Sequence, residues 1–222
     1  MADYFLLLDV DLFENRMRPA LAESWRRRSF EPCRDFCAGL LPRVEDFTRR
    51  YHVGEGEPLV GQVVRGLVFH RDFWRALAGE LLFYAADEVP VFQTCPDTLC
   101  CLLAPDHFPV GARSGDRALT AQERFAPIQQ AHFGTRDLTF GGVTYRPDHC
   151  GLNNCDDVRR LAQYLASIDP TRWRAEDLAP LPGLAEEDRA EELEVARDWF
   201  VPLRTMYEQA AAKSQVVVHE FL

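Results

Sequence analysis

The sequence predicts an α+β fold, helix-rich, in which a small central mixed or antiparallel sheet is covered by several helices. Three observations predict it. Short apolar runs stand near both ends, Phe5-Leu-Leu-Leu and Val216-Val-Val; strands this short need partners. Between them, apolar residues recur at helical spacing in several segments. Gly141-Gly142, flanked by Leu138-Thr-Phe and Val143-Thr-Tyr, is a hairpin signal that adds a local antiparallel pair. The alternating β/α pattern of a parallel sheet is missing.

Residues 2–8 form the first strand. Asp11 caps the following helix, with Glu14 three residues on as in a capping box, and Leu12, Met17, Leu21 and Trp25 face the core despite Pro19. Pro32 opens a second short helix through Cys33, Phe36, Cys37, Leu40 and Leu41, and a third short helix follows Pro42. Arg71 to Asp87 reads as a buried helix with Phe73, Trp74, Leu77, Leu81 and Tyr84 on one stripe. Val89-Pro-Val-Phe is extended, and Pro96 opens an apolar helix. From Ala104 to Leu119 the composition turns to Pro, Gly, Asp and Arg, which predicts a mobile loop over 104–119. Thr120 with Glu123 starts a helix through Ile128 and His132.

After a loop over 146–154, Asn154 caps a helix whose Val158, Leu161, Ala162 and Leu165 share one face. Asp169-Pro170 begins a short helix through Trp173. Glu186 to Ala212 is a long helix that turns Leu193, Ala196, Phe200, Leu203, Met206, Tyr207 and Ala210 inward, with Pro202 kinking or splitting it. The residues 3–8 and 215–221 are expected in one sheet, covered by the helices of 156–167 and 190–212. The expectation is a single domain over 1–222.

The formal charge is −10. Nucleic-acid binders draw most of their affinity from phosphate neutralisation by a basic face, so this charge speaks against nucleic acid as a partner. Arg26-Arg27-Arg28, Arg49-Arg50 and Arg159-Arg160 read as solvated helix faces. The apolar runs are far short of the roughly 20 residues needed to cross a bilayer, and Asp3, Asp9 and Asp11 interrupt any leader. A cytoplasmic protein without a membrane partner is expected.

Seven cysteines stand at 33, 37, 95, 100, 101, 150 and 155. The odd count speaks against a disulfide framework. Zinc favours two close pairs, typically with two residues between the cysteines, whereas the gaps here hold three, four and four residues. Neither a metal nor a cofactor is therefore expected, and the thiols read as reduced core or surface groups.

The run Asp157-Val-Arg-Arg-Leu-Ala-Gln-Tyr-Leu-Ala-Ser-Ile-Asp, a tryptophan-bearing short helix, then Phe200-Val-Pro-Leu-Arg-Thr-Met-Tyr-Glu-Gln-Ala-Ala and a terminal strand resembles the YfbM-like bacterial proteins. Tyr4-Phe-Leu-Leu-Leu-Asp-Val-Asp is similar too, so the resemblance covers roughly 155–222 and the first 20 or so residues. Positions 30–130 hold a diverged or inserted region. The resemblance implies an α+β fold of unknown activity and carries over no catalytic residue.

An apolar strand ending in Asp9-Val-Asp11 also resembles the first motif of haloacid-dehalogenase-type phosphotransferases. Leu12-Phe13 departs from that pattern, and the later lysine is absent, with Asp156-Asp157 a poor stand-in for the acidic pair. A thiol hydrolase would need a cysteine positioned by a histidine; Cys150 beside His149, or Cys155, are formal candidates.

Two function classes follow. The first is a non-enzymatic protein-interaction module of the inhibitor or immunity type. Its basic protein partner would meet the acidic face of the long helix at Glu187, Glu191 and Glu194. The second is an enzyme or small-ligand binder using the polar loop 145–155, where Tyr145, Arg146, His149 and Asn153 are the candidate ligand-binding residues.

Overall fold

The apolar run at each end of the chain becomes a strand of one sheet. The structure is a computed structural model, and it describes residues 3–51, 57–92, 96–107, 126–146 and 150–221. Strands β1 (Asp3–Asp9), β2 (Val91–Phe92), β3 (Arg136–Asp137), β6 (Cys150–Asn153) and β7 (Gln215–Phe221) form a five-stranded sheet in the order β2-β1-β7-β6-β3. Antiparallel pairing sets Tyr4 opposite Val91, Leu152 opposite Val218 and Asp137 opposite Gly151. The two central strands are buried on both faces, with Phe5, Leu6, Leu7 and Leu8 on β1 and Val216, Val217 and Val218 on β7 nearly inaccessible. Burial on both faces is why these strands read as unbroken apolar runs rather than alternating ones.

Two compact units result, the larger comprising Met1–Leu7, Pro90–Leu138 and Arg146–Leu222, the smaller Leu8–Val89 and Thr139–Tyr145. In the larger unit, α5 (Pro96–Leu103), α6 (Pro127–Phe133), α7 (Cys155–Ala166) and α8 (Arg189–Ala212) build one core with Phe5, Leu7 and Val217. Both α7 and α8 pack on β7, as their apolar stripes require. The stripe Leu193, Ala196, Phe200, Leu203, Met206, Tyr207 and Ala210 is buried along one continuous helix that runs through Pro202. Ahead of α8, Trp173 sits edge-on to Phe200, ring centroids 5.1 Å apart. Arg197 holds that turn by donating to the carbonyls of Pro170 (3.1 Å) and Trp173 (2.7 Å). Gly134, just past α6, has φ +79°, and a Cβ there would lie 2.4 Å from the Leu152 nitrogen on β6. Only glycine allows the helix to end this close to the strand.

The smaller unit holds α1 (Arg18–Arg27), α2 (Glu31–Tyr51), α3 (Leu59–Val64), α4 (Arg71–Ala85) and the hairpin β4 (Thr139–Phe140) to β5 (Val143–Thr144). The hairpin turns through Gly141 (φ +60°) and Gly142 (φ +80°), as the two-glycine signal predicts. Phe13, Met17, Leu21, Trp74, Leu77, Leu81 and Phe140 of this unit are buried. The Trp74 indole donates to the Leu21 carbonyl at 3.0 Å. Glu80 accepts from the Leu59 and Val60 amides, 3.0 Å each, which caps α3 from a neighbouring helix.

Several local expectations are corrected here. The chain enters α1 through a π-helical stretch, Asp11–Met17. Asp9, not Asp11, takes the capping role, accepting from the Leu12 amide at 2.9 Å; Asp11 accepts from Asn15 instead. The wide turns end at Arg18, whose amide reaches back to the Phe13 carbonyl, so that Pro19, which has no amide hydrogen, follows without a lost bond of its own register. This register buries Phe13 rather than Leu12, and Trp25 is only half buried. The two short helices expected around Pro42 are one helix of 21 residues. Pro42 and Ala38 lie on its exposed side, so water solvates the carbonyl that the proline leaves open. On α4, Phe73 is exposed and Tyr84 half buried. β6 runs through part of the expected loop 146–154. Most of the 104–119 loop and the Thr120–Glu123 pair lie outside the described residues. Among the described residues no helix is long and apolar enough to cross a membrane.

Because β7 sits between β1 and β6, removing residues 216–222 would expose both neighbours and delete three buried valines, each contributing about 1.5–3 kcal/mol. The truncated protein is expected to be insoluble on expression. Soluble protein with a cooperative unfolding transition would refute this placement of the strand.

Candidate functional site

Asn153, at the end of β6, makes four hydrogen bonds in a buried setting. Its Oδ1 accepts from the Thr135 amide (2.7 Å) and the Thr135 hydroxyl (2.6 Å). Its Nδ2 donates to the Gln130 carbonyl (2.9 Å) and the Tyr207 hydroxyl (2.8 Å). Tyr207 in turn donates to the Ala131 carbonyl at 2.7 Å. A side-chain amide has two lone pairs and two hydrogens to offer, so Asn153 is saturated. Burial pushes the Tyr207 hydroxyl up from its ordinary pKa, with the Asp157 charge adding to the shift and the Asn153 bond opposing it. The hydroxyl therefore stays a neutral donor.

The next residues continue the same lattice of bonds. Asn154 Oδ1 accepts from the Asp156 and Asp157 amides, and Asp157 Oδ2 accepts from the Asn154 amide, a reciprocal cap on α7. Asp157 also pairs with Arg136 of β3 at 2.7 Å. Arg146 has φ +45° and forms an ion pair with Glu220 of β7. Tyr145, in the smaller unit, is buried edge-on to Phe140, centroids 6.1 Å apart. Its hydroxyl occupies the space over Gly79, where a Cβ would lie 2.7 Å away. His149 lies outside the described residues. Of the four residues named for ligand binding, Asn153 and Tyr145 thus face inward and Arg146 is held by a carboxylate.

The thiols are of a similar kind. Cys33, Cys37, Cys100, Cys101 and Cys150 are buried, and Cys155 is half buried. Burial pushes Cys33 up to about 11, a bond with the Ser24 hydroxyl offsetting part of the effect. Burial, with the charges of Cys33 and Glu80 behind it, takes Cys37 to about 12, and burial takes Cys100 to about 12. A nucleophilic or metal-binding cysteine needs its thiolate. Among the described residues no three His, Cys, Asp or Glu side chains stand together as a metal site. Cys95 lies outside those residues. The Asp9-Val-Asp11 pair is spent on opening the first helix, as described above.

Outward-facing chemistry is found elsewhere. On α8 and the turn before it, Glu187, Glu191 and Glu194 are exposed, at spacings that put them on one helix face. Glu194 pairs with Arg197 at 2.5 Å. Glu192 turns the other way, accepting from the Thr98 hydroxyl at 2.5 Å. Val195 and Val201, exposed along the same helix, were not singled out by sequence. A second surface gathers Trp25 and Phe69 with Arg28 and Arg71 on the smaller unit. Its only signal was the recurrence of aromatic residues beside arginines in Trp25-Arg-Arg-Arg and Phe69-His-Arg-Asp-Phe. A groove of about 620 Å³ opens along α2 and α3, floored by Leu41, Val44, Pro58 and Val64.

The chain is similar to YfbM from Escherichia coli. The likeness to that crystal structure covers 100% of both chains, at 12% sequence identity and a TM-score of 0.45, and YfbM is described as a protein of unknown function. No protein-family model matches the chain, and no curated protein matches it.

Two predictions follow from the buried groups. Asn153→Ala strands several buried partners and is expected to cost about 3 kcal/mol, and Tyr207→Phe about 1–2 kcal/mol. The double variant should cost less than the sum, since one bond is shared. Urea midpoints of the three variants check this. The thiols predict a pH effect of definite sign. An unfolded cysteine ionises near pH 8.5, whereas Cys33, Cys37 and Cys100 hold their protons to about 11, 12 and 12 in the fold. The unfolded chain therefore sheds protons first as pH rises. Their contribution is fully present below about pH 8.5 and falls above it, by up to about 1.4 kcal/mol per pH unit for each thiol. A urea midpoint no lower at about pH 10 than at about pH 7.5 would contradict these environments.

Proposed function

We propose that the protein is a non-enzymatic protein-interaction module of the inhibitor or immunity type, working in the cytoplasm, and that a basic protein surface docks on the outer face of α8. The observation that carries this reading is the combination on that face. Exposed Glu187, Glu191 and Glu194 run beside exposed Val195 and Val201. A face that only keeps a protein soluble has no use for the valines. A docking face uses apolar contact for affinity and charge for orientation and speed.

Other features support it. The polar groups of the 145–155 segment, the alternative site for an enzyme or ligand binder, are largely engaged with the fold: Asn153 is saturated and Tyr145 is packed under the hairpin. The buried thiols are poor nucleophiles, because burial holds them protonated. Buried thiols fit a reducing compartment. The net charge of −10 opposes binding to phosphate backbones and favours a basic protein.

The triple variant Glu187→Lys, Glu191→Lys, Glu194→Lys tests the reading. Proteins retained by the wild type at about 50 mM salt should be released at about 500 mM, where the screening length falls to a few ångströms. The triple variant should retain none of them while still unfolding cooperatively, with a melting temperature only a few degrees lower, because the three side chains are exposed and the main cost is lysine in the first turn of α8. Unchanged affinity in the triple variant would place the interface elsewhere.

A further inference from the structure

We propose that the basic surface received by the acidic face of α8 is the arginine–aromatic patch on the smaller unit of a second copy of this chain; the inference rests on the docking role assigned to that face. The patch is built at the end of α1 and the start of α4. Trp25 packs at a tilt against Trp74, centroids 4.8 Å apart, and edge-on to Phe69 at 6.3 Å. Arg28 adopts a left-handed backbone, φ +53°, that ends α1 and lays its guanidinium 4.1 Å from the Trp25 centroid and 5.8 Å from Phe69. Arg71 approaches Trp25 from α4 at 5.8 Å. In the same stretch of chain Val68 and Phe73 are 81% and 43% exposed.

This surface is costly as it stands. Arg26 and Arg27 are paired with Glu23, but Arg28, Arg71 and Arg75 have no carboxylate partner among the described residues. Arg71 occupies the first turn of a 15-residue helix, where the helix dipole disfavours a cation. Arg75 follows one turn later, and like charges at that spacing repel. Three cations that the fold does not neutralise, on a chain of net charge −10 and with two exposed apolar side chains in the same stretch of sequence, call for a surface that is acidic and carries small apolar groups.

The outer face of α8 has that composition. Glu187 and Glu191 have no cationic partner among the described residues, and Val195 and Val201 are 37% and 43% exposed beside them. Among the described residues the exposed large apolar side chains are Val68, Phe73, Val91, Val195 and Val201. Four of those five lie either between residues 68 and 73 or on the outer face of α8. A nucleic acid is the poorer occupant. Trp25 is already covered by two guanidiniums and cannot stack on a base, and the rest of the chain repels phosphates.

Patch and helix are different surfaces, so the contact is heterologous: each copy offers one of each, and copies add head to tail. Two broken surfaces on different molecules should then complement each other. The experiment is sedimentation velocity of the full chain at rising concentration. Wild type should show a mass above that of the monomer, growing with concentration, with affinity falling at least tenfold between about 0.15 M and 1 M salt. The variant Arg71→Glu, Arg75→Glu and the variant Glu187→Lys, Glu191→Lys should each sediment as monomers. Their equimolar mixture restores an acidic surface facing a basic one between unlike copies, and should associate where neither variant does alone. Phe73→Ser, which leaves every charge in place, should also weaken association at least tenfold.

Wild type that stays monomeric throughout overturns the proposal, as does a mixture that fails to associate. If wild type is monomeric but the acidic-face triple variant loses a different protein partner, the inference fails and the docking reading survives. If association is lost in the arginine variant but persists in the Glu187→Lys, Glu191→Lys variant, both the inference and the acidic face fail. Binding of a fluorescent single-stranded oligodeoxynucleotide by monomeric wild type, lost in the arginine variant, would assign the patch to nucleic acid instead.

Discussion

The bonds around Asn153 join elements that are far apart in sequence. One amide receives Thr135 from the turn before β3, reaches the carbonyl of Gln130 on α6, and meets the hydroxyl of Tyr207 on α8. Through Ala131 that hydroxyl returns to α6. Three segments are therefore held to a single strand end through a buried amide and a buried hydroxyl, each costly to leave unpaired. The neighbouring Asn154–Asp157 cap then fixes where α7 begins, and Asp157 carries the tie on to Arg136 at the sheet edge. Hydrophobic burial supplies the driving force for such a core, but it is not directional. The polar knot is what selects one arrangement of α6, α8 and β6 among the many that would bury similar area.

Where structure is local, the sequence was readable. The stripes of α7 and α8 follow from helical spacing alone, the Asn154 cap from its position ahead of an apolar face, and the hairpin from two adjacent glycines. Continuity through Pro42 was hidden because a proline is a strong local stop signal. Whether it stops a helix depends on what surrounds the orphaned carbonyl, here solvent. β6 was hidden for another reason: Cys150-Gly-Leu-Asn lacks β-branched and aromatic residues, and its pairing with β7 is set by a segment some seventy residues away.

The candidate site was legible in kind more than in role. Polar residues crowd the 145–155 segment, and a polar loop is a sound place to look for function. Their spacing cannot say whether the side chains turn toward solvent or toward the fold. Asn153 turns inward because it ends a strand whose opposite neighbour, Val217, lies in the core. The acidic residues of α8, by contrast, could be placed outward from sequence, since the apolar stripe already fixed which side of the helix faces in. The valines among them broke that pattern, and Trp25 and Phe73 were expected in the core. Amphipathic analysis assigns aromatic residues to the core by default, and it has no means of recognising a ring covered by guanidinium groups instead.

Gly134 bears on how such a chain could drift over evolutionary time. Its backbone stands so near β6 that any side chain would collide with main-chain atoms, which cannot move aside as a flexible side chain can. Most positions of a core tolerate exchange among apolar residues of similar volume, and surface positions tolerate more. A position limited by backbone contact tolerates neither. Descendants of this chain could lose nearly every recognisable word of the sequence and still keep a glycine at the end of a short helix, followed nineteen positions later by the asparagine that closes the knot. Those two fixed points offer a ruler for aligning sequences too far diverged for ordinary comparison.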